Sequence, residues 1–273
     1  MFTIGIDPVA FAIGPLTVRW YGIMVALAVV ALLAISSRQA KRLGIAQDLI
    51  YNLFLWGIIG GFVVSRLVHV VDYVVTHPGE PIQIIGFAGL SLLGAIGGAV
   101  LAVWVYARVS KIPWSDMAVV GDAVAVGGPV AQAIGRIGCT INGCCYGQPV
   151  SLPWAVIYTH PASECGLRGI PLHPTQIYFV VWNLVVFAVL WRIHARLKPP
   201  GALFILYLCL YAAGDFGLRF FRVNEPFLLG LQQGQIISLV ILLVTLPLFV
   251  VKVRRHRQGP LEVASISQAG QTE

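Results

Sequence analysis

Gln235-Ile236-Ile237-Ser238-Leu239-Val240-Ile241-Leu242-Leu243-Val244-Thr245-Leu246-Pro247-Leu248-Phe249-Val250-Val251 carries no charge, and Lys252, Arg254, Arg255 and Arg257 follow at once. A run of about 20 apolar residues crosses the hydrocarbon core of a bilayer, and a basic cluster beyond it marks the cytoplasmic side. Six more apolar runs precede it: Leu16–Ser36, Leu49–Val71, Ile84–Tyr106, Met117–Ile137, Thr175–His194 and Ala202–Arg219. Of the 273 residues, 58% are hydrophobic and only 11% charged, with a mean hydropathy of +0.85. A soluble domain carries about 25% charged residues. The expected fold class is therefore all-α, a polytopic membrane protein with about seven transmembrane helices.

The loops alternate in charge. One set (Arg38, Lys41, Arg42; Arg108, Lys111; Arg192, Arg196, Lys198; Lys252, Arg254, Arg255, Arg257) holds twelve basic residues. The other holds six: Arg19, Arg66, Arg136, Arg168, Arg219 and Arg222. The positive-inside rule puts the richer set in the cytoplasm, the N-terminus outside and the C-terminus inside. Residues 1–252 then form a single transmembrane domain whose outer loop, 138–174, carries part of the site. Residues 253–273 form a basic and polar cytoplasmic tail, too poor in apolar residues to order itself. The net charge of +7 comes from loops spread along the chain rather than from one patch, so nucleic acid is not an expected partner. Met1–Pro15 lacks the basic start of a signal peptide, and the first apolar run is read as a membrane helix.

Gly57-x-x-x-Gly61 and Gly94-x-x-x-Gly98 read as notches for close helix crossing, as do Gly60-Gly61 and Gly97-Gly98. Asp122, inside the fourth run, is read as a structural hydrogen-bond or ion-pair partner. The five cysteines (139, 144, 145, 165, 209) make an odd count, so no complete disulfide framework is implied. The outer four are compatible with a disulfide or with small buried thiols. Their spacing fits no standard zinc pattern, and neither a metal nor a cofactor is expected.

The chemistry gathers at Gly135-Arg136-Ile137-Gly138-Cys139-Thr140-Ile141-Asn142-Gly143-Cys144-Cys145-Tyr146-Gly147. An arginine at the end of an apolar segment snorkels or meets an anion. The stretch resembles the signature of the bacterial prolipoprotein diacylglyceryl transferases, Gly-Arg-x-Gly-x-x-x-Asn-Gly. The resemblance covers most of the chain. It includes Val18-Arg19-Trp20-Tyr21-Gly22, Gln132-Ala133-Ile134, Pro153-Trp154-Ala155-Val156, His173-Pro174-Thr175-Gln176-Ile177-Tyr178 and Gly234-Gln235-Ile236-Ile237-Ser238.

The resemblance implies transfer of the diacylglyceryl group of phosphatidylglycerol to the lipobox cysteine of a prolipoprotein, the first step of lipoprotein maturation. Such an enzyme sits in the bacterial inner membrane, has lipid, prolipoprotein signal peptides and the bilayer as partners, and faces the outer leaflet. The reaction needs a cationic clamp for a phosphate leaving group and a means of raising the thiolate fraction of the acceptor. Arg136 is the expected clamp, since guanidinium binds phosphate bidentately. Asn142 is expected to orient an oxygen, His173 to act as base, and Arg219 to add charge. Tyr21, Gly143, Gln176, Tyr178 and Arg222 complete the expected substrate contacts.

Two departures stand out. The family's third helix opens its glycine run with a histidine or tyrosine. Here Gly89-Leu90-Ser91-Leu92-Leu93-Gly94-Ala95 has no titratable side chain. The family's Gly-Arg-Phe-x-x-Glu-Phe on helix six reads Gly214-Asp215-Phe216-Gly217-Leu218-Arg219-Phe220, with acid and base exchanged and spaced to pair on one helix face. A lipid-binding protein of the same fold without catalysis is the alternative. A transporter or channel is disfavoured, for neither repeated halves nor paired broken helices stand out.

Overall fold

The computed structural model describes residues 1–14, 16–76 and 91–269. Among the described residues seven α-helices carry the fold: α1 Trp20–Arg42, α2 Gln47–Thr76, α3 Leu92–Val109, α4 Trp114–Asn142, α5 Thr175–Ile193, α6 Ala202–Leu218 and α7 Gln233–Ala269. All but α3 are long and apolar enough to cross a membrane, and the apolar part of α3, Gly94–Val109, is shorter. The expected third span began at Ile84, and residues 84–90 lie outside the described residues. The protein is an all-α polytopic membrane protein.

The first span needs a correction at its start. Leu16–Arg19 is not helical but forms strand β3, antiparallel to β2 (Val9–Ile13). Gly14, at φ 57°, sits at the end of β2, in the left-handed region glycine enters without strain. Short apolar runs do not distinguish strand from helix, and the β-branched Thr17 and Val18 favour the strand. Helix α1 accordingly begins at Trp20 and runs past Ser36 to Arg42. At the other end, α7 continues to Ala269, where an unordered tail was expected. A helix nucleated by its apolar span propagates far more easily than one starting afresh.

The chain forms two compact units, Ser37–Val120 and the remainder, Met1–Ser36 with Gly121–Glu273. In the first unit α2 and α3 cross closely through glycines. A Cβ on Gly60 would run into Ala102 and the Gly98 carbonyl, and one on Gly98 into Gly60 and Val64. A Cβ on Gly94 would lie 2.9 Å from the backbone of Ser65, and one on Gly61 3.0 Å from the Ala95 carbonyl. Gly97, by contrast, faces open space.

In the second unit Ala125, Val126, Val186, Leu190 and Leu203 from α4, α5 and α6 make the core. Asp122 is structural, as its position suggests. Its carboxylate accepts from the backbone N–H of Gly201 at 2.6 Å and of Phe204 at 2.9 Å, capping the start of α6 where the helix dipole is positive. The loop between α4 and α5 is held by β4 (Val156–Tyr158), which pairs in parallel with β1 (Phe2–Ile4) across the chain's whole first half. Beneath it Val156, Tyr158, Cys165 and Leu172 form a small second core.

Candidate functional site

Five helix ends meet in the second unit: the starts of α1, α5 and α7 and the ends of α4 and α6. The C-terminus of α4 organises them. Gly143, at φ 79°, donates its N–H to the Cys139 carbonyl at 2.9 Å, closing the helix as a left-handed glycine does. A side chain there would strike Ser163 of the loop between α4 and α5. Gly147 has no room either, for a Cβ would meet His173 and, at 2.7 Å, the Phe221 carbonyl. Backbone hydrogen bonds complete the knot: Gly147 to His173 at 3.1 Å, His173 to Gln148 at 3.0 Å and Gln148 to Phe221 at 2.8 Å.

The start of α5 pins this turn from below. Thr175 donates its hydroxyl to the Cys145 carbonyl at 2.8 Å, and Gln176 its amide to the Cys144 carbonyl at 2.7 Å and the Tyr158 hydroxyl at 3.2 Å. Both side chains are fully buried, so Gln176 serves the turn directly. Burial raises the Tyr158 pKa and keeps that phenol neutral. His173 lies beside Phe221, ring centroids 5.2 Å apart. Its Nδ1 shares a hydrogen bond of 3.2 Å with the Tyr178 hydroxyl, which also accepts from Trp154 at 2.9 Å.

The arginines fall into two groups. Arg19 pairs with Glu164 at 2.8 Å and also reaches Asn142 Oδ1 at 3.5 Å. Arg219 donates Nε to Asp215 at 2.5 Å, and Ser238 donates to the same carboxylate oxygen at 2.7 Å. The pair that the i, i+4 spacing allows therefore forms. Among the described residues Arg136 and Arg222 form no ion pair. Arg136 stacks over the Phe179 ring, 4.3 Å from its centroid. Among the described residues no acceptor takes a hydrogen bond from its guanidinium. Arg222 has a buried Nε without a partner. Burial pulls its pKa down from the ordinary guanidinium value, Cys145 and Asp215 act against this, and Arg136 and Arg219 add repulsion. Arg222 thus feels both other guanidinium groups, with Cys145 and Asp215 offsetting them.

Asn142 is buried at the last position of α4, and its carbonyl accepts from Glu164 N–H at 3.0 Å. Tyr21 lies against Gly138, where a Cβ would be 3.4 Å from its ring. One turn before Arg136, Gln132 Oε1 is buried without a partner. An open apolar groove of about 330 Å³, lined by Phe2, Ile4, Thr140, Trp154, Ile177 and Tyr178 among others, begins one turn beyond Arg136. The sulfurs of Cys139, Cys144 and Cys145 lie within 4.8 Å of one another, all as free thiols. Sequence reasoning missed Thr175, Gln132 and the convergence of these sulfurs. Only the extreme apolarity around Gln132 signalled a buried polar role.

Fold and site together define a polytopic membrane protein with a cationic, only partly neutralised site where its helices end. The sequence model of the family described as prolipoprotein diacylglyceryl transferase matches residues 8–251. A phosphatidylglycerol–prolipoprotein diacylglyceryl transferase of Dehalococcoides mccartyi is 39% identical over 260 residues, covering 95% of this chain and 98% of the relative. Relatives of the same name from Clostridioides difficile and Aromatoleum aromaticum are 32% and 35% identical, covering 86% and 82% of this chain and 90% and 85% of their own. The chain belongs to the prolipoprotein diacylglyceryl transferase family.

Proposed function

We propose that this protein transfers the diacylglyceryl group of phosphatidylglycerol to the lipobox cysteine of prolipoprotein signal peptides. The acceptor sulfur attacks the glycerol carbon that carries the phosphate ester. A C–S bond forms, the C–O bond breaks, and the electron pair leaves with glycerol phosphate. The observation that carries this reading is the unneutralised pair Arg136 and Arg222. Half-buried cations that repel one another favour an anion, and a lipid phosphodiester supplies it.

Arg136 is the phosphate clamp, with Arg222 beside it. Arg219, half neutralised by Asp215, contributes field rather than direct grip. Asn142 and Tyr21 orient headgroup oxygens, and Gly143 lets the turn approach them. Gln132 Oε1, one turn from the clamp, would accept from a headgroup hydroxyl. In the tautomer that donates Nδ1–H to Tyr178, His173 Nε2 takes the acceptor thiol's proton. Gln176 acts through its hold on Cys144. The groove at Thr140 and Ile177 suits an acyl chain.

The charge asymmetry of the loops supports an inner-membrane orientation with the N-terminus and the site at the outer leaflet. Residues 1–252 are then the transmembrane domain and 253–273 a cytoplasmic tail. The test is complementation in a bacterium depleted of its own transferase, following a reporter prolipoprotein by mass. Gain of one diacylglyceryl unit on the lipobox cysteine is expected. An unmodified reporter, with this protein verified in the membrane, would refute the activity and favour lipid binding without catalysis.

A further inference from the structure

We infer that Cys139, Cys144 and Cys145 form a binding site for one thiophilic d10 cation of the zinc class, ligated by three sulfurs. The spacing of these cysteines matches no standard zinc motif, and the site is invisible until the chain folds. Cys139 stands on the last turn of α4, and the chain reverses at Gly143, bringing Cys144 and Cys145 back onto it. The three sulfurs then lie within 4.8 Å of one another. Zinc–sulfur bonds of about 2.3 Å place tetrahedral ligands about 3.8 Å apart, so side-chain rotation alone closes the gap.

Three independent features prepare the ligands. Cys145 holds φ at 61°, a conformation uncommon outside glycine and concentrated at functional sites. Thr175 and Gln176 clamp the carbonyls of Cys145 and Cys144 from a buried helix start, so the turn is rigid without any disulfide. The surroundings also suit the product. Three thiols lose three protons to solvent and gain a divalent ion, leaving the site at −1. Arg136, one turn before Cys139 on α4, and Arg222, whose buried Nε has no partner, supply the positive charge that offsets it. A fourth coordination position stays open for a water or a substrate sulfur. Thiolate ligation selects this class of ion over magnesium or calcium.

The site does not depend on the proposed transferase activity and is tested by binding alone. Purified full-length protein in detergent, kept reduced with a phosphine, is titrated with Cd2+, and thiolate-to-metal charge-transfer absorption is read. One Cd2+ per chain is expected. The Cys145→Ser variant should bind at least roughly a hundredfold more weakly, the scale that loss of an outer-shell partner alone can reach. Cys165→Ser and Cys209→Ser should bind as the unaltered protein does. As a check that needs no variant, bound Cd2+ should shield three thiols per chain from maleimide. Absence of charge-transfer absorption, unchanged affinity in Cys145→Ser, or no shielding would overturn the site.

Discussion

The α2–α3 crossing and the knot at the end of α4 are both rich in glycine, and they use it for opposite ends. At the crossing, Gly60 and Gly98 remove side chains so that two helices touch through backbone, the way small residues drive packing in a medium with no hydrophobic effect of its own. The side chains nearest Gly60 and Gly98, Ala102 and Val64, are apolar. At the knot, Gly143 and Gly147 remove side chains so that polar groups crowd together, with His173, Phe221 and Ser163 in the space a Cβ would need. Glycine density therefore marks close approach, and the neighbouring side chains decide whether the approach serves packing or chemistry.

That contrast can be broken by mutation. Asp215→Ala removes the partner of Arg219 and the acceptor of Ser238. Breaking a buried pair costs about 3–5 kcal/mol, so thermal unfolding in detergent should show a large loss and transfer should fall with it. Gly98→Val overpacks the crossing and should destabilise by about 1–3 kcal/mol. Turnover per folded molecule should survive, because the crossing carries no chemistry. Equal loss of turnover would erase the distinction between the regions. Asp122→Ala uncaps α6 and should cost about 1–2 kcal/mol, again with turnover retained. Thr175→Val removes one hydrogen bond to Cys145, worth about 1 kcal/mol. Its expected signature is a drop in turnover larger than the drop in stability.

Much of this was legible in the sequence. Hydropathy located six of the seven expected spans among the described residues, since charge is rare inside them and common at their ends. Helical spacing allowed the Asp215–Arg219 pair without requiring it, and the role of Asp122 followed from the difficulty of placing a carboxylate in hydrocarbon. What escaped was non-local. The β1–β4 pairing joins residues over 150 positions apart, and the hairpin that displaces the start of α1 looks apolar in any window. The sorting of arginines into neutralised Arg19 and Arg219 and unneutralised Arg136 and Arg222 depends on where Glu164 and Asp215 arrive. The convergence of three sulfurs depends on a left-handed Cys145 that no spacing rule announces.

The central claim is that Arg136 grips the lipid phosphate. Its direct test is in vitro transfer from phosphatidylglycerol to a lipobox-cysteine peptide, read by mass, with the unaltered protein and Arg136→Ala side by side. The account predicts a thioether product from the first and a rate lower by about 10²–10³-fold from the second, the scale of losing one preorganised electrostatic contact, with Arg136→Ala still folded. Transfer by Arg136→Ala at the unaltered rate would contradict it.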